Sequence, residues 1–288
     1  MRDNILFYLL FLSQIILISH YYPGRILARM KSFFELYPPS SHPKLYPRPV
    51  EQYEKGHRRY TLINRVIVVA GILLIAALTQ IERSGKWDHV IVTWFYFLQL
   101  FPLMLLDLRS LKDFRLMREA NVTGTRKADL RRRRLVDYLS KPLLGSVIVA
   151  YVAYVLFILY VKQFDYPWFG GYLNIVGVTV VNFFLAAVVL WSLYGKKQNP
   201  HQTHEDRVRQ IKTTANVMLS VSIAVTLFIA LTIALAAFEL RHIQPMVQTI
   251  YFQLLTVISC QVYFVKNMNF DVYKKKDLLL KELPIGEH

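Results

Sequence analysis

The sequence predicts an all-α integral membrane protein, a polytopic bundle of about seven transmembrane helices. Three observations predict it. Apolar residues make up 54% of the 288 and come in long runs, not in the short periodic sets of a soluble domain. Each run supplies about 17–25 residues, the number that crosses ~30 Å of hydrocarbon at 1.5 Å per residue. Lys and Arg concentrate in alternate connections, the asymmetry expected of cytoplasmic loops. Polar and apolar residues do not alternate within the runs, which argues against a barrel, and helices satisfy their backbone groups internally.

The first run, Ile5–Tyr21, is read as a retained span within an uncleaved signal anchor over 1–22. Its start, Met1-Arg2-Asp3-Asn4, is only weakly basic, and no small-x-small cleavage pattern follows Ile18. Residues 23–62 form a cytoplasmic segment of two parts. Arg25–Leu36 places Ile26, Leu27, Met30, Phe33 and Phe34 largely on one face. That pattern suits either an interfacial helix or one packed on the protein's own cytoplasmic side. Leu36–Val50 then carries Pro38, Pro39, Pro43, Pro47 and Pro49, which forbid a helix and suggest a polyproline tether.

Six further runs follow: Ile63–Gln80, Val90–Leu106, Leu143–Val161, Tyr172–Tyr194, Thr213–Phe238 and Gln244–Val265. They pair into three hairpins, 63–107, 143–194 and 213–266, within a six-helix domain spanning 63–266, with a cytoplasmic tail over 267–288. Each hairpin is introduced by a charged segment with closely spaced cations: Arg58 and Arg59; Arg131, Arg132, Arg133 and Arg134; Arg207 and Arg209. Parallel repeats would look this way, and so would alternation of positive-inside loops without duplication. Trp87, Trp94, Trp168, Phe169, Tyr172, Trp191 and Tyr194 fall near span ends, where amphipathic rings settle at headgroup level. The loop Tyr166–Tyr172 is apolar enough to lie on or dip into the outer interface.

Charge sets the orientation. Lys and Arg number 35 against 19 Asp and Glu, a net charge of +16. The cations crowd four segments: the one after the first span, the loop from Arg109 to Lys141, the loop from Lys196 to Lys212, and the tail. The other connections are nearly balanced. All four basic segments therefore belong inside, giving an N-out/C-in integral protein of the cell membrane, the inner membrane in a bacterium. Nucleic acid is not expected as a partner. Topology already explains the charge, and the arginine run lacks the aromatic interleaving of a stacking platform.

Catalytic chemistry leaves little trace. There is no G-x-S-x-G and no P-loop, and the one cysteine, Cys260, lies inside a span. His201 and His204 stand at i, i+3 beside Glu205 and Asp206, but the favoured reading is a polar helix start capped by Thr203. No metal or cofactor is expected, and no catalytic residue is assigned. Asp107 beside Arg109 and Glu239 beside Arg241 are read as local ion pairs at span ends.

The remaining clue is polar residues inside the spans. Thr249, Gln253, Thr256 and Cys260 follow one helical face of the last span. The preceding span offers Asn216, Ser220, Ser222, Thr226 and Thr232; Asn174, Asn182 and Gln99 lie on earlier ones. Amides in hydrocarbon must face a partner or water. Two readings follow. In the first, Asn182, Asn216, Ser220, Thr249, Gln253 and Thr256 line a polar path in a channel or transporter-like component. In the second they are interhelical hydrogen bonds, and the chain is a non-catalytic membrane-complex subunit or scaffold. Its basic face, Arg58, Arg59 and Arg131–Arg134 above all, then docks anionic lipid headgroups, a protein partner or a second copy of the chain. The first is the expectation from sequence. An intramembrane or lipid-modifying enzyme is a third reading without a visible catalytic set.

Overall fold

The structure, a computed structural model, describes residues 2–83, 90–120, 134–195, 199, 201–265 and 270–273. Those residues are helical throughout their regular elements, and seven helices are long and apolar enough to cross a membrane. The charged lead-in 121–133, including Arg131, Arg132 and Arg133, lies outside the described residues, as do most of the tail and Trp87.

The first of these seven helices is longer than its apolar run. It comprises α1 (Arg2–Ile16), a π turn (Leu17–Tyr21) and α2 (Tyr22–Leu36), without interruption. Pro23-Gly24 reads as a stop, yet the helix continues. The reason is the π turn: Tyr22 N–H reaches back five residues to Leu17 O. The wider turn eases the proline-ring clash with the preceding carbonyl that ends an ordinary α-helix. The amphipathic stretch Arg25–Leu36 is therefore an extension of the first helix, packed on its own protein. Ile26 is buried, and Phe34 meets Tyr46 at 4.9 Å.

The next helices also overrun their apolar runs at one end. These are α3 (Val50–Arg83), α4 (Val90–Ala120) and α7 (His204–Ala237); α5 (Lys141–Val161), α6 (Leu173–Tyr194) and α8 (Gln244–Ser259, continued by a 3-10 turn to Phe264) lie close to the expected bounds. The overruns of α2, α3, α4 and α7 project from the same end of the bundle. The cations Arg48, Lys55, Arg59, Arg109, Lys112 and Arg115 gather there, so we call it the basic end. At the start of α7, Thr203 accepts the Asp206 N–H at 3.2 Å, a capping contact with Glu205 and Asp206 in the first turn.

The helices form two groups. In one, α1 lies between α3 and α8 and α4 closes the set; α8 runs parallel to α4, Gln248 meeting Thr93 and Tyr263 meeting Asp107, and parallel to the first helix, Gln253 meeting Ser13 and Val265 meeting Arg29. Its core joins Phe11, Ile15, Leu78, Val92, Phe95 and Phe252. In the other, α7 packs on both α5 and α6 around Tyr154, Ile158, Val178 and Ile233. The middle hairpin thus has its strongest packing with α7, whereas α3 packs directly on α4. One aromatic ladder ties the groups together: Phe228 of α7 stacks on Tyr251 at 3.9 Å, and the adjacent Phe252 of α8 stacks on Tyr96 of α4 at 4.1 Å.

Candidate functional site

Polar side chains inside the apolar helices come first. Gln14 donates to Gln99 at 2.8 Å, and Gln99 donates to Ser19 at 3.1 Å, joining α1, the π turn and α4. Gln253 of α8 donates to Ser13 Oγ at 2.9 Å and to Leu10 O at 3.1 Å. Gln248 donates to Thr93. Thr256 bonds its own helix at Phe252 O and reaches Tyr96 OH at 3.4 Å. Thr249 is buried and donates to Pro245 O at 2.8 Å. In the other group Ser222 donates to Asn182 at 2.7 Å.

The six candidate path residues are therefore spread over separate contacts. Thr249, Gln253 and Thr256 share α8, Asn182 faces Ser222 in the second group, Ser220 is half-buried on α7, and Asn216 is exposed. None of them lines any of the three cavities described below. The sequence missed Gln14 and Ser13 of the first helix. The signal was available, since an amide amid Phe11, Ile15 and Ile16 needs a partner.

Two expected ion pairs are replaced by other contacts. The Tyr263 hydroxyl is shared between both Asp107 carboxylate oxygens at 2.8 Å, and Arg109 donates to Gln52 O with its guanidinium 5.9 Å from the Tyr53 ring. Arg241 stands over Trp168 at 5.1 Å, and Glu239 adopts φ 60° at the end of α7. Trp168 itself stacks on Tyr166 at 5.1 Å, and Tyr166, Trp168 and Phe169 pack on the core of the second group. The apolar loop after α5 is thus a cover over its own helices.

The basic end is a folded cap. The proline segment is compact, not an extended tether. Pro38 O accepts from Ser41 N and His42 N, Pro43–Leu45 makes a 3-10 turn, and Tyr46 OH donates to Tyr37 O at 2.5 Å. Phe34 sits among Tyr46, Tyr53 and His57, while Phe33 and Tyr37 pack on Phe270. Arg48 pairs with Asp113 at 2.6 Å, pinning the proline segment to α4. Burial pushes the Tyr46 phenol up to about 12. Tyr273, which accepts from Asn199 at 2.6 Å and carries the His201 ring at 5.6 Å, is likewise raised to about 12 by burial. His201 thus contributes to packing, and among the described residues no group of three metal-ligating side chains forms.

Three cavities open at this end. One of about 650 Å³ lies between the two helix groups, walled by Met117, Trp191, Gln202, Arg207, Gln210 and Phe270 among others. A second of about 260 Å³ sits under Tyr53, His57, Tyr60 and Pro102. A third of about 450 Å³ runs along α3 and α4 and is bordered by Arg48, Lys55, Arg59, Arg109 and Lys112. Arg59 therefore borders two of the three, Arg58 is exposed beside them, and Arg134 is exposed ahead of a 3-10 turn at Leu135–Asp137. Comparison with protein-family models, with curated proteins and with solved structures finds no match.

Proposed function

We propose that this chain is a polytopic integral membrane protein, N-terminus outside and C-terminus cytoplasmic, that serves as a non-catalytic docking subunit. In this reading the seven apolar helices span the bilayer, and the large apolar side chains they leave exposed, such as Leu73, Val149 and Phe183, face lipid. The basic end is the cytoplasmic end, in keeping with positive-inside bias. The observation that carries the reading is the division of polar groups. Within the spans the amides Gln14, Gln99, Asn182, Gln248 and Gln253 each bond a neighbouring helix, whereas at the basic end cations border open cavities on a folded cap.

The test is water access to α8. Thr249→Cys, Gln253→Cys and Thr256→Cys are introduced singly in a Cys260→Ala protein, and native membranes are treated with a membrane-impermeant thiol reagent. The docking reading predicts no modification at the three positions. Modification at all three would establish a water-filled path and replace it with the transport reading.

A further inference from the structure

The cations of the third cavity converge by helical register. Gln52, Lys55, Gly56 and Arg59 occupy i, i+3, i+4 and i+7 on α3, and Leu105, Leu108, Arg109 and Lys112 repeat that spacing on α4. Each set is one face of its helix, and the two faces meet across the groove. Gly56 is what leaves room. A Cβ there would stand 2.1 Å from Arg109 Nη1, so the guanidinium occupies space that any side chain would fill. Arg109 is fixed further by the Gln52 carbonyl, and Arg48 by Asp113. Lys55, Arg59 and Lys112 are exposed around them. Glu51 and Glu54 lie on α3 as well, but neither borders the groove.

The floor has a different chemistry. Leu105 and Leu108 are 38% and 48% exposed and continue the apolar run of α4 into the groove. A groove with cations at its rim and leucines leading toward the spans matches a molecule with a phosphate at one end and a hydrocarbon chain at the other. A free phosphate would have no use for the leucines.

We propose that the α3–α4 groove binds an anionic phospholipid. Lys55, Arg59, Arg109 and Lys112 hold the phosphate, and an acyl chain runs along Leu105 and Leu108. The site rests on the membrane-spanning reading above and gives the docking surface a specific ligand class.

Full-length protein is first reconstituted into phosphatidylcholine bilayers, which scores insertion separately. The inserted protein is then extracted in mild detergent and titrated with short-chain phosphatidic acid, short-chain phosphatidylcholine or inorganic phosphate, with binding followed by native mass spectrometry. Tight binding of phosphatidic acid, with weak binding of the other two, is expected. At about fivefold per cation near the surface, Lys55→Ala/Arg59→Ala/Lys112→Ala weakens phosphatidic acid binding on the order of a hundredfold. Lys141→Ala/Lys162→Ala/Lys212→Ala removes equal charge away from the groove and leaves affinity within a few-fold. Gly56→Ala keeps every charge, displaces Arg109 and weakens binding several-fold. Equal losses in the two triple variants would reduce the effect to bulk charge and overturn the site. Inorganic phosphate binding as tightly as phosphatidic acid would overturn the lipid assignment. Protein that inserts but does not bind sinks the groove proposal alone; protein that never inserts sinks the reading beneath it.

Discussion

Replacing Gln99 by leucine tests whether the buried amides hold the first helix group together. Gln99 is 1% exposed and makes two side-chain hydrogen bonds, accepting from Gln14 and donating to Ser19. Hydrogen bonds between membrane helices average about 0.6 kcal/mol, so losing the pair removes roughly 1.2 kcal/mol. The larger cost is what stays behind. Gln14 is 0% exposed, and stranding its amide adds about 1–3 kcal/mol. The single variant should therefore lose about 2–4 kcal/mol. The double variant Gln14→Leu/Gln99→Leu should lose less than Gln99→Leu alone. Gln14 Oε1 has no hydrogen-bond donor among the described residues even in the native protein, so removing Gln14 also removes a buried unmet acceptor. Ser19, left alone, can return its hydroxyl to the backbone of its own helix. Reversible unfolding in mixed micelles, run as a double-mutant cycle, measures the coupling. Additive losses from the two substitutions, or a Gln99→Leu protein as stable as the native one, would refute the network as a unit of stability.

Glycine spacing makes a second prediction. A Cβ on Gly71 would lie 2.8 Å from both Ile15 Cδ1 and Phe95 Cζ, so Gly71→Ala should cost about 1–3 kcal/mol by overpacking the α1–α3–α4 contact. Gly145→Ala and Gly177→Ala meet nothing within 4 Å and should leave the thermal midpoint unchanged or slightly higher in the same detergent. The cap should be sensitive to alkali. Tyr46 and Tyr273 titrate near 12 in the folded chain against 10.0 when exposed, so their contribution is complete below pH 10 and declines as pH rises from 10 to 12. Folding stability measured by denaturant titration should fall across that window, and Tyr46→Phe should remove most of the part due to Tyr46.

Seven helices long and apolar enough to cross a membrane were legible because that property needs only composition and length, both local. The Thr203 cap was legible for the same reason, being set by its own residue and the next few. Of the α8 stripe, Thr249, Thr256 and Cys260 are buried and Gln253 is half-buried. What the stripe faces was not legible, because Leu10, Ser13 and Tyr96 lie far away in the chain. The same limit hid the partner of Asp107. Its sequence neighbour Arg109 is the obvious cation, but a tyrosine 156 residues distant takes the carboxylate. The proline segment was judged by its prolines, which fix local dihedrals. Its compactness comes from Phe34, Tyr37 and Tyr46 packing across the cap, and no local pattern encodes that. The π turn at Leu17–Tyr21 defeats the usual meaning of Pro23-Gly24, because it absorbs the proline where an α-helix would end.

The most direct test of the account is the side of the membrane on which the basic end lies. In a Cys260→Ala protein, single cysteines replace Arg134 at the basic end and Gln163 at the opposite end, both exposed. Intact cells are treated with a membrane-impermeant maleimide, before and after permeabilisation. Immediate labelling of Gln163→Cys is expected, with labelling of Arg134→Cys only after permeabilisation. Arg134→Cys labelled in intact cells while Gln163→Cys stays protected would invert the topology, and with it the assignment of the basic cap to the cytoplasm.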